Sequence, residues 1–397
     1  MLDYCMQEAR EIRDDMVRWR RDFHQHPELM HQEHRTSEAI ASVLGEIGLE
    51  VWSGLAGTGV ISLVEGKKTG KTVGLRADID ALPIQEATGL PFASKNRGIM
   101  HACGHDVHMA ILLGAAKILR RFQETLNGCV KLIFQPAEED GSGAKAMIKE
   151  GVLKDPPVDV ILATHVWPGL EVGQVGLLPD VAFASSDTIQ MEYRGPGGHG
   201  AHPEATRDPI LAAAHLVVAT QSVISRNVNP LESAVVSFGI IQGGTAHNII
   251  PDSVMLKGTV RCLDSEVRRE LKERIQVLSE KIAQAFGVEH NFQYLQGVPV
   301  LRNSPSVNRW IAGLFERMLS KEKVSLQRPS MGSEDFAYYL NKSPGAIFRL
   351  GCAPPGESGR YFLHTDCFTV DEETMVYGAA LMAAAAMEYL AEQPKMN

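Results

Sequence analysis

The sequence lacks several features that would assign it to a specialised class of protein. It has no run of basic residues, and 48 Asp and Glu against 39 Lys and Arg argue against nucleic acid as a partner. The N-terminus is charged from its third residue and has no apolar segment with a small-residue cleavage site, so export is not expected. Its six cysteines lack paired spacing, which favours free thiols in a reducing cytoplasm.

Long apolar runs and common catalytic signatures are also missing. The most apolar stretch, residues 375–391, contains Glu388 and is short for a bilayer, so we expect a buried helix. There is no G-x-S-x-G elbow, H-E-x-x-H helix or G-x-x-x-x-G-K-[ST] loop, so serine nucleophiles and ATP have no support. Residues 195–200 match G-x-G-x-x-G, but no helix begins before about Asp208, which argues against dinucleotide binding.

The 397 residues favour two domains, and the pattern of predicted elements changes along the chain in the same way. Apolar β-branched runs at 60–64, 72–75, 130–134 and 158–163 alternate with helical patterns, which indicates an α/β sheet. One helix is predicted over 107–123 with Asp106 as its N-cap.

From about Ser185 the predicted order becomes β-α-β-β-α-β, which is typical of a ferredoxin-like unit. Asp208-Pro209 and Asp264-Ser265 mark two helix starts, and Gly287 marks a helix end. A helix over 306–319, an apolar run at 346–350 and a C-terminal helix then resume the α/β pattern. We therefore predict a discontinuous α/β domain of residues 1–184 and 298–397 around an insert of residues 185–297.

Three imidazoles and one thiol lie within residues 101–108, where a loop enters a helix. Cys103 and His105 can converge on one ion because Gly104 between them tolerates unusual dihedral angles. The helix N-terminus beyond them would help to hold a thiolate. The alternative is a buried cysteine beside exposed histidines, but the clustering favours a metal site.

Further candidate ligands follow predicted strands. Glu138 and Glu139 come after the strand at 130–134, at the sheet edge where α/β proteins build their sites, although such a pair alone could be a solvated acidic turn. One of them can bind metal while the other stays free as a general base. His165 ends the strand at 158–163 and could equally be a structural residue. His364 is a candidate ligand only because the other candidate ligands are present.

Together these motifs resemble those of the dinuclear-metal aminoacylase and carboxypeptidase family, in particular its branch of hippurate hydrolases and indole-acetyl-amino acid amidohydrolases. The resemblance runs almost end to end. It rests on residues 23–28 (FHQHPE), 75–83 (LRADIDALP), 101–108, 135–139, 195–203, 244–252 and 332–336 (GSEDF).

The resemblance implies a metal-dependent amidohydrolase that cleaves the amide bond of N-acyl amino acids to a carboxylic acid and a free amino acid. Glu138 would be the general base, and the implied metal ligands are Cys103, His105, Glu139, His165 and His364. Residues 1–184 and 298–397 would form the catalytic metal-binding domain. Residues 185–297 would form a dimerisation or lid domain, and the protein would be a homodimer or higher homo-oligomer.

The resemblance also implies roles for residues of the insert. His199, or His202 as the alternative, would reach the active site of a partner subunit and stabilise the oxyanion. Asn248 and Arg261 would hold the substrate's carboxylate or acyl carbonyl, and an Arg fork suits a carboxylate.

The sequence departs from the family at Arg76-Ala77-Asp78, where many members carry His-x-Asp with the histidine as a ligand. Arg76 cannot ligate a cation, so one or two divalent ions remain open. We count Asp78 with the catalytic residues as a carboxylate that supports the ligands, and His108 as a supporting or structural residue. The mixed donors fit Mn²⁺ or Zn²⁺, with Co²⁺ and Ni²⁺ also compatible.

Two other functions stay open at this point. A dipeptidase or metallocarboxypeptidase would share every ligand, because specificity lies in pocket details. A non-enzymatic metal-binding protein on a hydrolase scaffold would lack the base or the open coordination site, and Glu138 argues against it. The apolar walls of the substrate pocket would come from loops such as those around Leu170 or Phe183.

Overall fold

The computed structural model describes residues 2–392, which form two compact units. The first unit takes the chain up to Ala182, the segment Arg302–Arg328 and the chain from Glu334 onward. The second unit takes Phe183–Leu301 and Pro329–Ser333.

Three helices and two strands open the chain, and from β3 to β5 strands and helices alternate as the sequence pattern predicts. They are α1 (Leu2–Glu11), α2 (Arg13–Gln25), α3 (His34–Ile47), β1 (Val51–Leu55), β2 (Gly59–Glu65), β3 (Lys68–Asp78), α4 (His105–Arg121), β4 (Asn127–Gln135), α5 (Gly143–Lys149), β5 (Val160–Glu171), β6 (Val175–Leu177) and β7 (Val181–Phe183).

The remaining elements belong to the second unit and then to the return of the chain to the first. Those up to β13 are β8 (Asp187–Arg194), β9 (Gly198–His199), α6 (Pro209–Asn227), β10 (Ala234–Gly243), β11 (Ile249–Ile250), β12 (Ser253–Cys262), α7 (Ser265–Phe286) and β13 (Glu289–Gln296). The rest are β14 (Leu301–Arg302), α8 (Pro305–Leu319), β15 (Val324–Leu326), α9 (Ala337–Leu340), β16 (Gly345–Ala353) and α10 (Thr374–Glu392).

The first unit is built on an eight-stranded sheet in the order β1-β2-β4-β3-β5-β16-β6-β15. Its four middle strands, β4, β3, β5 and β16, are parallel to one another. Most residues of these strands are buried, which is why the strands contain continuous apolar runs in the sequence. The predicted α/β class is confirmed, and the carboxyl ends of β3 and β4 lie side by side, with the end of β3 beside the middle of β5.

The alanine-rich helix α10 packs against α1 and α4 in the core of this unit. The window Thr374–Ala391 is long and apolar enough to cross a membrane, but 89% of it is buried inside the fold. The predicted buried helix is therefore confirmed, although its length alone would not have excluded a bilayer.

The predicted N-cap role of Asp106 is wrong. Helix α4 begins at His105, with Gly104 as its N-cap, and Asp106 lies in the first turn. The Asp106 carboxylate instead accepts hydrogen bonds from Arg20 Nε at 2.7 Å and His24 Nδ1 at 2.8 Å, both on α2. Two buried hydrogen bonds to donors on α2 stabilise the Asp106 carboxylate more than a single bond to the helix N-terminus would. The bond to Asp106 also gives His24 a structural role.

The second unit is an antiparallel sheet in the order β10-β12-β8-β13, with α6 and α7 packed against it. Asp208 accepts from the backbone N–H groups of Ile210 and Leu211, so it caps α6 as predicted. Asp264 caps α7 in the same way, and Gly287 ends α7 with a φ of 65°. These local signals are confirmed, and β10 and β13 are the edge strands of this sheet.

Lys131 on β4 is a buried lysine that holds a loop of the first unit in place. Its Nζ donates to the carbonyls of Val152, Lys154 and Pro156 at 3.0, 2.5 and 2.9 Å. These carbonyls lie in the connection between α5 and β5, so one ammonium satisfies three backbone acceptors.

We predict that Lys131→Met lowers the melting temperature by about 3–5 °C, because it removes the donor of three backbone acceptors at a cost of roughly 2–3 kcal/mol. Differential scanning calorimetry measures this change. Lys149→Met, at the exposed end of α5, is the matched control and should leave the transition unchanged. Equal melting temperatures for the two variants would contradict the assigned role of Lys131.

Candidate metal centre

The five predicted ligand side chains lie together at the carboxyl edge of the first unit's parallel strands. Cys103 precedes α4 and His105 is its first residue, while Glu139 follows β4. His165 lies within β5, which continues to Glu171 rather than ending at 163 as predicted. His364 lies in the loop before α10. The fold thus brings together residues separated by up to 261 positions.

The donor atoms of these residues converge on a small volume. Cys103 Sγ lies 3.5 Å from His165 Nε2 and 3.3 Å from His364 Nε2. Glu139 Oε1 lies 3.5 Å from His364 Nε2 and 3.9 Å from His105 Nε2. Two groups of three donors, each within 4.8 Å of one another, share the cysteine: one adds His105 and His165, the other Glu139 and His364.

Two buried atoms in this cluster have no hydrogen-bond partner among the described residues: His105 Nε2 and Glu139 Oε1. A buried polar atom without a partner carries a large desolvation cost, which coordination to a cation would offset at both atoms. Thiolate, imidazole and carboxylate are the ligands that divalent transition metals take. The residues present therefore fit a divalent metal.

Asp80 orients two of these side chains and was not among the predicted site residues. His105 Nδ1 donates to the Asp80 carbonyl at 2.9 Å and its carboxylate at 3.1 Å, which leaves Nε2 as the metal-facing nitrogen. The other Asp80 oxygen accepts from the backbone N–H of Glu139 at 2.9 Å. Its place in the LRADIDALP motif was the available signal.

His108 and Asp78 support the cluster. His108 Nε2 accepts from the Val166 backbone N–H at 2.9 Å, so its proton is on Nδ1, which donates to Asp78 at 2.6 Å. With both nitrogens in use, His108 is a structural link between α4, β5 and β3. Asp78 accepts a second bond from Arg76 Nη1 at 2.6 Å and lies 3.7 Å from His105 Nε2.

Arg76 is a buried cation on β3, two residues before Asp78. Its guanidinium donates to Gln135 at 2.8 Å and to Asp78, and it forms ion pairs at 3.0 Å with Glu334 and Asp335. The pKa of Arg76 is raised well above its usual value: burial opposes this, but the surrounding carboxylates outweigh it. A fixed positive charge therefore stands at this position.

Glu138 lies between two groups of side chains: His105 and Glu139 on one side, and Glu334 and Asp335 on the other. Its Oε1 accepts from the Asp335 backbone N–H at 3.3 Å, and the three carboxylates lie within 4.8 Å of one another. Burial, then the charges of Glu334, Glu139 and Asp335, raise the pKa of Glu138 well above its usual value. Glu334 and Asp335, from the GSEDF motif, were missed as site residues.

Burial and neighbouring charges shift the pKa values of the predicted ligand side chains. Burial opposes the charged form of His105, but Asp78, Asp80 and Glu139 outweigh it and raise its pKa to about 10. Burial raises the pKa of Glu139 to about 7 despite the opposing effect of His105. Burial also raises the pKa of the Cys103 thiol well above its usual value, and nearby carboxylates add to this.

Two non-glycine residues of the site, one of them a predicted ligand, adopt left-handed backbone conformations. Ala137, just before the two glutamates, has a φ of 49°, and His364 has a φ of 63°. The Ala137 N–H donates to the buried Glu33 at 2.9 Å, which fixes this turn. Strain of this kind is typical of functional sites whose surroundings hold it in place.

The other predicted site residues belong to the second unit. His199 Nδ1 accepts from the Ala201 N–H at 3.0 Å, so a neutral His199 carries its proton on the exposed Nε2. Exposed His202 pairs with Glu204 at 3.3 Å, and Asn248 is exposed.

Arg261 is half-buried and contacts the Met331 carbonyl and Ser333 Oγ, each at 3.4 Å. Among residues 2–392 no carboxylate forms an ion pair with it. Burial lowers the pKa of Arg261 below its usual value, although the group stays charged at neutral pH. Its charge is therefore available to a ligand.

Gly104 is required by the geometry between Cys103 and His105. Its φ is +88°, and a Cβ there would lie 2.4 Å from Val166 Cγ2. We predict that Gly104→Ala displaces Cys103 from His105 and weakens metal affinity about 10- to 100-fold. Metal content after dialysis against a calibrated chelator measures this. Gly239→Ala, whose Cβ meets no atom within 4 Å, is the control, and unchanged affinity in Gly104→Ala would refute the argument.

Comparisons with known proteins identify the family of this chain. The sequence profile described as peptidase family M20/M25/M40 matches residues 74–388. An N-acetyl-L-cysteine deacetylase of Bacillus subtilis is 41% identical over 96% of this chain and 89% of its own. Thermostable carboxypeptidase 1 of Saccharolobus solfataricus is 36% identical over 98% of this chain and 99% of its own.

A solved structure from Bacillus subtilis, described as a dinuclear metal binding peptidase of the M20 family, superposes with a TM-score of 0.83. It is 34% identical and covers 96% of this chain and 99% of its own. Family, fold and donor cluster point to the same chemistry. The chain therefore belongs to peptidase family M20/M25/M40 and is a metal-dependent amidohydrolase.

Proposed function

We propose that this enzyme hydrolyses the amide bond of N-acyl amino acids, including those of the hippurate type, to a carboxylic acid and a free amino acid. The supporting observation is that five donor side chains converge on a small volume beside Glu138. Two of these donors, His105 and Glu139, have a buried atom without a hydrogen-bond partner among the described residues. The deacetylase relative supports an N-acyl amino acid as substrate.

Cys103, His105, Glu139, His165 and His364 would hold the metal, as Mn²⁺ or Zn²⁺, with Co²⁺ and Ni²⁺ also compatible. When bound, divalent ions at such sites polarise the scissile carbonyl and lower the pKa of water. The sharing of Cys103 between two donor groups is consistent with either one or two ions.

Glu138 acts as the general base of the proposed reaction. It removes a proton from the attacking water, and it then returns that proton to the leaving amine. Its raised pKa suits both steps, because a carboxylate of ordinary pKa is a poorer base.

The neighbours of Glu138 position it for this role. Arg76 holds Glu334 and Asp335 in place, and the Asp335 N–H fixes one oxygen of Glu138. Glu139 is held by Asp80 instead. Two adjacent glutamates thus receive different partners and different tasks.

A dipeptidase or metallocarboxypeptidase activity is the second candidate, because the 36% identical relative is a carboxypeptidase. Both activities would use the same ligands. Assays of the metal-reconstituted enzyme on free dipeptides and on N-acetyl and N-benzoyl amino acids discriminate between them. Preference for free dipeptides would favour the second candidate.

We predict that Glu138→Gln keeps its metal but loses at least about 10²-fold in kcat, since general acid–base catalysis contributes 10²–10⁴. Glu139→Ala, His165→Ala and Cys103→Ala should lose metal as well as activity. Metal analysis and kcat of the purified variants separate the two classes, with circular dichroism to verify folding. EDTA should inactivate the wild type reversibly. Near-normal activity of Glu138→Gln would remove this residue as the base.

We further propose that residues 1–184 and 298–397 act as the catalytic domain and that residues 185–297 act as a dimerisation or lid domain. The exposed edge strand β10 supports this, because Ile240 and Ile241 are 44% and 56% exposed there. Helix α6, which packs against β10, also exposes Leu211 and Val218. An apolar edge strand beside an apolar helix face suits pairing with a second copy of this chain.

In the proposed dimer, His199 of the partner subunit stabilises the oxyanion, with His202 as the alternative. The proton on His199 Nε2 makes it a suitable donor. Arg261 would bind the substrate's carboxylate and Asn248 its carboxylate or acyl carbonyl. The free cysteines are consistent with a cytoplasmic location.

The dimer predicts that Ile240→Lys with Ile241→Lys yields monomers, because two charges oppose pairing at the edge of β10. Multi-angle light scattering measures the mass. The monomers should bind metal normally yet lose about 10²-fold in kcat, as should dimeric His199→Ala. Leu295→Lys, at the other edge strand β13, is the control and should stay dimeric. A monomeric wild type would contradict the proposal.

A further inference from the structure

Two aromatic side chains flank the metal ligands of the first unit, and neither has a role in the site described above. Trp167 follows His165 by two residues on β5, and Phe362 precedes His364 by two residues in the loop before α10. On a strand, residues two apart share a face, so Trp167 stands beside His165. Their ring centroids are 6.4 Å apart.

The two aromatic rings also contact each other. Their centroids are 6.5 Å apart at an interplanar angle of 77°, an edge-to-face arrangement. Phe362 is 53% exposed, whereas most large apolar residues of this unit are buried in its core. We call Trp167 and Phe362 the aromatic wall. An exposed phenylalanine held against a tryptophan next to metal ligands is surface that a ligand can cover.

Arg349 of β16 packs against the Trp167 ring and holds it in place. The Arg349 guanidinium carbon lies 3.7 Å from the Trp167 ring centroid, a cation–π contact. Arg349 is buried, and its Nη1 donates to the Arg328 carbonyl at 2.9 Å. A Cβ at Gly169 would lie 2.9 Å from Trp167 Nε1. The absence of a side chain at Gly169 therefore leaves room for the Trp167 ring. A ring ordered in advance loses little entropy when it binds a ligand.

The residues suggested by sequence for the pocket walls do not offer such a surface. Leu170 is 8% exposed and Phe183 is 5% exposed, so both side chains belong to the packed interior. Leu170 lies on β5 only three positions beyond Trp167, but its side chain packs near Gly176.

We propose that the aromatic wall is a specificity determinant that selects N-acyl amino acids carrying an aromatic ring. The inference rests on the proposed function and names its preferred substrates. The ring can be supplied by the acyl group or by the amino acid side chain, since an aromatic surface recognises the ring in either case.

Three substrates separate these sources: N-acetylalanine has no ring, N-benzoylalanine has an acyl ring, and N-acetylphenylalanine has a side-chain ring. We expect the metal-reconstituted wild type to prefer at least one ring-bearing substrate. In Phe362→Ala and Trp167→Ala, the kcat/KM for that substrate relative to N-acetylalanine should fall about tenfold. Phe362→Leu, which keeps apolar area without the ring, should fall less. Trp52→Ala, at an exposed tryptophan on the edge strand β1, is the matched control.

A binding measurement complements the kinetics. Isothermal titration of the holoenzyme with benzoate and with acetate should show a benzoate preference that Phe362→Ala reduces. Phe362 is largely exposed, so its truncation should leave folding and metal content intact even if Trp167→Ala does not fold. Substrate ratios and benzoate preference that match the wild type in Phe362→Ala would overturn the aromatic wall. Failure of the wild type to hydrolyse any of the three substrates would instead overturn the proposed function.

Discussion

The site of this protein depends on an excess of buried negative charge. In the described part of the first unit, buried Arg76 pairs with Asp78, Glu334 and Asp335. Three further carboxylates, Asp80, Glu138 and Glu139, lie close by around His105. Buried charges of one sign are costly unless they are paired. The charge of Arg76 compensates the negative charges of Glu334 and Asp335. Glu139, by contrast, keeps one oxygen without a hydrogen-bond partner among the described residues. The fold therefore provides cation positions that its own side chains do not fill.

The same constraint separates the roles of two neighbouring glutamates. Glu138 lies near the arginine-bound acids and accepts from the Asp335 N–H. Glu139 is fixed by Asp80, which also holds His105. The strained turn at Ala137 makes this divergence possible at the end of β4. Two consecutive glutamates can thus have different hydrogen-bond partners, as the proposed roles of base and ligand require.

Parallel strands explain why distant residues meet at this edge. The carboxyl ends of β3 and β4 lie side by side, and the end of β3 lies beside the middle of β5. Asp78 ends β3, the two glutamates follow β4, and His165 lies at the matching level of β5. The period of two along β5 then places Trp167 on the face of His165. Chemistry and proposed specificity therefore share one strand, and a change in its register would disturb both.

The sequence by itself determined the features that depend on a few neighbouring residues. Asp208, Asp264 and Gly287 mark helix ends because caps act within one turn, and Gly104 signals an unusual dihedral angle between two donors. The apolar runs and the motif residues likewise identified the sheet and the five donors that the fold brings together.

Tertiary structure alone decided which charges pair. Arg76 and Asp335 are 259 positions apart, and Arg20 and Asp106 are 86 apart, so no local preference reveals either contact. Asp106 accordingly looked like a cap, and Asp80 and Glu334 looked like ordinary motif acids. Coulombic and hydrogen-bonding partners depend on which strands become neighbours, and that depends on packing the whole core.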